Sequence, residues 1–305
     1  MPETLLTTRE VAAYLHINEK QVYRLIQNGD IPCTRVTGKW LFPQSLIEDW
    51  VKRSAQPQTP AGPPDTTPFD IERGLLLAGS NDLLLDVLME LTSHCFPEQL
   101  FYTTNLGSFG GLKALKQAKA HVALAHLRDQ LTGEYNVPFL SQSGQLDPVA
   151  VTLWHRQIGL ISRPGKQKIR SFADLPGKKT RFMNRQAGSG VRWLVDQQLQ
   201  QLNVKPQSVT GYETEARTHW EVGLSVLHNR ADVGVAVESV AHQLGLGFHE
   251  IVEERFDLLV SKDVYFTKSV QALLEVVSSS ALKAQAAILG GYDLRDAGKV
   301  ALAAS

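Results

Sequence analysis

Only two cysteines, Cys33 and Cys95, occur in 305 residues. They stand far apart and without the close spacing of metal-binding pairs, which excludes a disulfide framework or a zinc site as the organising device and fits a reducing compartment. Long apolar runs are missing as well. Stretches such as Gly74 to Ala78 fall far short of the roughly 20 residues that cross a bilayer, so no membrane segment is expected. Net charge is absent too: 31 basic residues balance 31 acidic ones, so any contact with nucleic acid has to be local. The opening Met1-Pro2-Glu3-Thr4 passes straight into a polar, helix-like pattern, without the basic, apolar and small-residue succession of an export signal. A cytoplasmic location is therefore expected.

What is present is a globular composition, 43% hydrophobic and 20% charged, on a chain long enough for more than one folding unit. The stretch from Ser54 to Pro68 is proline-rich and poor in anything that could pack, and it reads as a semi-rigid, solvated linker. The expected division is a first unit at 1–54, a linker at 55–69 and a second unit at 70–305. In the second unit, strand-like runs (Leu75 to Ala78, Val122 to Ala125, Ile158 to Ser162, Val233 to Val237, Leu258 to Val260) alternate with helix-like periodicity. That order implies mostly parallel sheets flanked by helices.

In the first unit, Thr7 or Thr8 can cap a short helix from Arg9 to Leu15, and Asn18 can cap a second from Glu19 to Gln27 that Asn28-Gly29 ends. Val22, Leu25 and Ile26 make the buried stripe of the second helix; Lys20, Gln21, Tyr23 and Arg24 face outward. Two helices joined by a tight turn can place the second in a DNA major groove. Ile31 to Val36 and Lys39 to Pro43 then read as a hairpin around Thr37-Gly38, and Ser45 as the cap of a third helix. Arg35 and Lys39 on that wing join Arg24 as expected phosphate or base contacts, while Trp40 either packs the wing or touches DNA. The order helix, turn, helix, wing, helix over residues 5 to 53, with Thr7 to Leu15, Val22 to Ile26 and Gly38-Lys39-Trp40, resembles the excisionase-type winged helix-turn-helix related to the MerR group.

In the second unit, three loops place a small hydroxyl residue or glycine where a strand feeds a helix: Gly79-Ser80-Asn81, Asn105-Leu106-Gly107-Ser108 and Arg185-Gln186-Ala187-Gly188-Ser189-Gly190. A fourth is possible at Thr218-His219. Helix N-termini offer unpaired amides and partial positive charge, so convergence of such loops predicts an anion site. These segments, continued by Arg230 to Gly234 and Leu289 to Asp293, resemble the molybdate-binding-protein-like domain fused to helix-turn-helix regulators, a relative of periplasmic oxyanion-binding proteins. The resemblance implies a multidomain protein, a small α-rich winged helix-turn-helix plus a two-lobed α/β domain. Its lobes are expected at about 70–152 with 239–305, and at 153–238. It further implies an oxyanion effector, molybdate or tungstate, held at Ser80, Asn81, Asn105, Ser108, Arg185, Gly188, Ser189, Gly190, Thr218 and His219. Val191 departs from the family's threonine, and Glu221 would oppose an anion unless it points away.

Catalysis is not expected, because Ser189 lacks the Gly-x-Ser-x-Gly elbow and assignable His and Asp partners. The glycine-rich loop also lacks the lysine of a P-loop and the acid of a dinucleotide fingerprint. The nine histidines are scattered, and neither metal nor cofactor is expected. Double-stranded DNA and a small oxyanion are the expected partners, with homo-oligomerisation to pair half-sites on an operator.

Overall fold

The computed structural model describes residues 4–28, 31–36, 38–54, 71, 74–129, 131–141, 148–165, 169–176 and 180–301. The chain divides into two units, Met1–Pro68 and Phe69–Ser305. The expected linker lies outside the described residues.

The first unit runs β1 (Leu5–Thr7), α1 (Thr8–Tyr14), α2 (Glu19–Asn28), β2 (Thr34–Val36), β3 (Lys39–Pro43) and α3 (Gln44–Ser54). Thr7 closes a capping box with Glu10, and Asn18 and Gln21 make the reciprocal pair at the start of α2 (Gln21 N to Asn18 Oδ1, 2.9 Å; Asn18 N to Gln21 Oε1, 3.2 Å). Val11, Ala12, Val22, Ile31, Phe42 and Ile47 form the core. Two details differ from the sequence reading. The wing is a three-stranded sheet in the order β1-β3-β2, because Leu5–Thr7 pairs with Leu41–Pro43. Moreover α3 begins at Gln44, directly after the strand, so Ser45 lies inside the helix rather than capping it. Asn18→Ala removes the α2 cap and should cost about 1 kcal/mol; hydrogen exchange on the full chain should show faster exchange of the α1 and α2 amides and no change in the second unit.

The second unit contains β4 (Gly74–Gly79), α4 (Leu83–Cys95), β5 (Leu100–Asn105), α5 (Gly107–Lys116), β6 (Val122–Ala125), α6 (Val137–Ser141) and β7 (Pro148–Ser162). It continues with β8 (Phe182–Arg185), α7 (Gly190–Gln201), β9 (Glu215–Ala216), α8 (His219–Leu227), β10 (Val233–Val237), α9 (Glu238–Gln243) and β11 (Gly247–Ser261). It ends with α10 (Lys262–Tyr265), α11 (Lys268–Val277), α12 (Ser280–Leu289), β12 (Tyr292–Asp293) and β13 (Val300–Ala301). The strands form one path, β5-β4-β6-β11-β7-β10-β8-β9, with β12 and β13 on β7. β4 pairs in parallel with β5 and β6, and its buried Leu75, Leu77 and Ala78 fit a strand covered on both faces.

Two 15-residue antiparallel strands, β7 and β11, run through both halves and join them. One core gathers Leu75, Leu84, Val122, Trp154, Phe256 and Leu273; the other gathers Ile158, Phe182, Val195, Val222, Val235 and Leu246. These are two lobes with crossing strands between them. Val240, Ala241 and Leu246 pack in the second lobe's core, although the sequence reading assigns them to the first; α9 stays with the lobe that β10 delivers it to, and the chain crosses back only midway along β11. Among the described residues, no single helix is long and apolar enough to cross a membrane.

Candidate functional site

Strand ends aim the expected loops at the junction of the lobes. Ser80 follows β4, Ser108 sits in the first turn of α5, and Ser189 is the N-cap of α7; all are buried. Helix α5 begins at Gly107, within the loop expected to precede it, which puts Ser108 inside the helix. Ser80 and Ser108 share a hydrogen bond of 2.7 Å between their hydroxyl oxygens, and the His126 amide donates to Ser108 Oγ at 3.4 Å. Whichever serine donates, the hydroxyl hydrogen of the other stays free for a ligand. Ser189 Oγ accepts from the Arg192 amide at 3.1 Å, which leaves its O–H to donate.

The two lobes meet at these loops. The Phe109 amide of the first lobe donates to the Gly188 carbonyl of the second at 3.2 Å, and Asn105 Nδ2 donates to the Arg217 carbonyl at 2.8 Å. Gly107, at φ +70°, lies so close that a Cβ there would stand 2.7 Å from the Gly188 oxygen. A glycine is required at that point by both conformation and contact.

Arg185 ends β8 with 3% of its surface exposed. Its Nη2 donates to the same Arg217 carbonyl that Asn105 reaches, at 2.9 Å. Among the described residues no carboxylate lies within ion-pair distance of it. Burial, and then the charge of Arg156, push its guanidinium down to about 9, against a smaller opposing pull from Glu254 and Glu221. Next to it in electrostatic terms is His219, also buried, whose Nδ1 has no hydrogen-bond partner among the described residues. Burial first, then Arg185, Arg156 and His126, hold this imidazole well below its ordinary range, so it is neutral at pH 7.

The remaining expected residues divide. Asn81 is half-buried beside Ser80, Gly188 is exposed at φ +84°, and Gly190 is buried. Thr218 is occupied as the N-cap of α8, in a capping box with Glu221. Glu221 Oε2 accepts from the Arg217 and Thr218 amides, so this acid is turned to its own helix end. Val191 is buried in the second lobe's core, and the absent threonine hydroxyl therefore has an apolar replacement with a packing role. On the first unit, Lys20, Gln21, Tyr23, Arg24, Arg35 and Lys39 are all exposed. Gln21 is tied by its capping bond. Trp40 is half-buried against the core, with the Arg35 guanidinium 5.5 Å from its ring centre.

The sequence reading missed a buried ion chain behind the serines. Arg156 of β7 and Glu254 of β11 are cross-strand partners, joined Nε to Oε1 at 2.7 Å. Arg156 also donates to Asp82, the α4 N-cap, which accepts from Tyr292 Oη at 2.8 Å. Glu254 Oε2 takes His126 Nδ1 at 2.9 Å, and the His126 ring lies where a Cβ on Gly190 would be. Burial alone would lower the Arg156 guanidinium, but Glu254 and Asp82 outweigh it and raise it. Burial alone would raise the Glu254 carboxyl, and His126 and Arg156 hold it below the usual range. The only signal of this chain in the sequence was a polar break, Trp154-His155-Arg156-Gln157, inside an apolar strand. Among the described residues, no group of three or more His, Cys, Asp or Glu is arranged to hold a metal ion.

Residues 90–278 match the PBP superfamily domain, and residues 5–55 match a helix-turn-helix domain, a coarser description than the excisionase type. Over nearly its whole length the chain is similar to the uncharacterized protein YvgK of Bacillus subtilis, 29% identical over 308 residues and covering 97% of each. A protein assigned as a phosphate ABC transporter substrate-binding protein from Clostridium perfringens, with phosphate bound, has a TM-score of 0.54 at 16% identity, covering 71% of this chain and 97% of that one. The regulatory domain of NMB2055 (MetR), a LysR family regulator from N. meningitidis, has a TM-score of 0.52 at 11% identity, covering 72% of this chain and 97% of that one. At such identities these two are likenesses of fold. Through residues 90–278 the chain belongs to the PBP superfamily, and it carries a helix-turn-helix domain ahead of that binding domain.

Proposed function

We propose that the protein is a ligand-responsive transcription regulator of the cytoplasm whose two-lobed domain senses a small oxyanion. The observation that carries this reading is Arg185: a guanidinium buried at the lobe junction, with no carboxylate in ion-pair reach among the described residues, which shares the Arg217 carbonyl with Asn105 where the loops of the buried Ser108 and Ser189 also meet. An arginine keeps its proton at neutral pH, so its uncompensated burial is expressed as affinity for a counter-anion. Molybdate or tungstate is the favoured effector. Such anions are fully deprotonated and offer only acceptors; the serine hydroxyls and Arg185 offer donors, while the carboxylates of Asp82 and Glu254 are engaged by Arg156. Asn81, Asn105, Gly188, Gly190 and His219 complete the proposed wall, and Thr218 serves it through the α8 cap. An anion seated there bridges both lobes, binds the shut form better than the open one, and thereby changes operator affinity.

DNA contact is assigned to Lys20, Tyr23, Arg24, Arg35 and Lys39, with Gln21 limited to its free amide hydrogens and Trp40 supporting the wing. Paired copies would read two half-sites, since one such head makes few contacts. Calorimetric titration of the full chain with molybdate, tungstate, sulfate and phosphate tests the sensing half; if none binds saturably, the reading falls. For the DNA half, Arg24→Ala and Lys39→Ala should each weaken operator binding and flatten its log–log salt dependence by about one unit for each phosphate no longer neutralised, with anion affinity unchanged. Operator affinity equal to the parent's in both variants would remove the assigned surface.

A further inference from the structure

A cavity of about 360 Å³ lies between the lobes, with Gly190 in its lining. Its floor is one face of α7: Gly190, Trp193, Leu194, Gln197, Gln198 and Gln201 follow the i, i+3, i+4, i+7 spacing. The opposite face, Val191, Val195 and Leu199, is buried in the second lobe's core. Helix α7 thus carries a packing stripe and, back to back with it, a stripe without charge that bears one indole and three carboxamides. A helix face that meets only water is usually charged. The rest of the lining comes from His126, Tyr135 and the exposed Arg128 of the first lobe and from Ile251, Val252 and Glu254 of the crossing strand. His126 and the carboxylate of Glu254 are already bonded to each other, so part of the polar wall is preoccupied.

We propose that this cavity is a second effector site and that it takes a planar purine-type heterocycle. Its volume suits a small organic molecule and is more than a bare oxyanion fills. A glutamine carboxamide pairs one donor with one acceptor in a plane, which is the pattern that meets a purine edge in two hydrogen bonds. Gln198 donates to Gln201 at 3.2 Å, so both amides are oriented before a ligand arrives. The Trp193 indole meets Phe109 edge-on, with centroids 5.6 Å apart and planes at 77°, and a half-exposed indole of this kind is a stacking surface for a base. Tyr135, opposite, has its hydroxyl pushed up to about 12 by burial and by Glu254, so it stays a neutral wall. Because the walls come from both lobes and a crossing strand, an occupant favours the shut form and works in the same direction as an anion at Ser108 and Ser189. The assignment does not depend on the identity of that anion.

Titration calorimetry of the full chain with adenosine and with guanosine, each with and without molybdate, tests it. One of the nucleosides should bind saturably, and Gln197→Leu and Trp193→Ala should each weaken it about tenfold or more while circular dichroism stays that of the parent. Molybdate should raise the nucleoside affinity, since both ligands favour the shut form. The proposal is overturned if neither nucleoside gives a saturable heat, if both Gln197→Leu and the more exposed Gln201→Leu bind as tightly as the parent, or if molybdate competes, which would put the nucleoside at the serine cluster.

Discussion

Arg185→Gln is expected to weaken oxyanion binding by about 10- to 150-fold, the loss of one hydrogen bond to a charged group at about 1.5–3 kcal/mol. The same substitution should leave the free protein as stable as the parent or more so. Those two effects have opposite sign for one reason. In the absence of an anion, Arg185 is a buried cation with no carboxylate in reach among the described residues; its Nη2 satisfies one carbonyl, that of Arg217, and its charge is opposed by Arg156. Replacing it by an uncharged amide removes that cost, and also removes the charge that waits for a ligand. The pH dependence follows from the depressed guanidinium. Its folded value of about 9 lies below the ordinary 12.5, so folding disfavours the charged form, and the cost is fully present below about pH 9. As pH rises through 9, deprotonation in the folded chain relieves the cost, and the stability gap between variant and parent should narrow. Thermal unfolding of both proteins with and without molybdate checks all of this at once. A variant that is less stable without ligand but keeps full anion affinity would mean that Arg185 only holds the loop.

Arg156→Ala should destabilise the second unit by about 3–5 kcal/mol, because removing one member of a buried ionic group strands the others. Arg156 is 1% exposed and holds both Asp82 and Glu254. Without it, two buried carboxylates remain, one of them the N-cap of α4, and the cross-strand pair at the middle of β7 and β11 is lost. Both lobes lose a shared support. Arg156→Lys restores charge but not the fork that reaches two carboxylates, so only part of the loss should be recovered. Lys299→Ala is the comparison, since its 2.9 Å pair with Asp296 lies at the surface, where solvent and salt screen an ion pair and its loss should barely move the midpoint. Urea unfolding followed by tryptophan fluorescence reads these differences, and equal midpoints for Arg156→Ala and Lys299→Ala would contradict the role given to the ion chain.

Much of the second unit could be read from its apolar runs, and the places where the reading stopped have a common cause. Val122–Ala125 and Val233–Val237 were expected as strands and are β6 and β10, because a short buried strand is apolar along its whole length. Of β7 and β11, only Ile158 to Ser162 and Leu258 to Val260 were anticipated. The rest of each strand carries the polar residues of the junction, Arg156 and Glu254 among them, and a strand whose centre is ionic breaks the pattern by which strands are found. For the same reason the loops bearing Ser80, Ser108 and Ser189 were legible, since each follows a clear strand, whereas His126 and Tyr292 join them only in three dimensions. Leu5–Thr7 was missed as a strand because three residues carry no periodicity; its partner, Leu41–Pro43, lies 36 residues on.

The shut lobes also set a clock. With Ser80, Ser108, Ser189 and Arg185 all almost wholly covered, an effector held there as proposed reaches or leaves them only when the Phe109–Gly188 and Asn105–Arg217 bonds part. Exchange is then governed by the frequency of opening, a collective motion on the scale of about microseconds to milliseconds, rather than by encounter in solution. Once the effector's concentration falls, its residence time is the rarity of opening multiplied by the chance of recapture before escape. Two anions of equal affinity could thus hold the regulator in its bound state for different times, and substitutions at Asn105 or Phe109 that touch no ligand would shorten that memory.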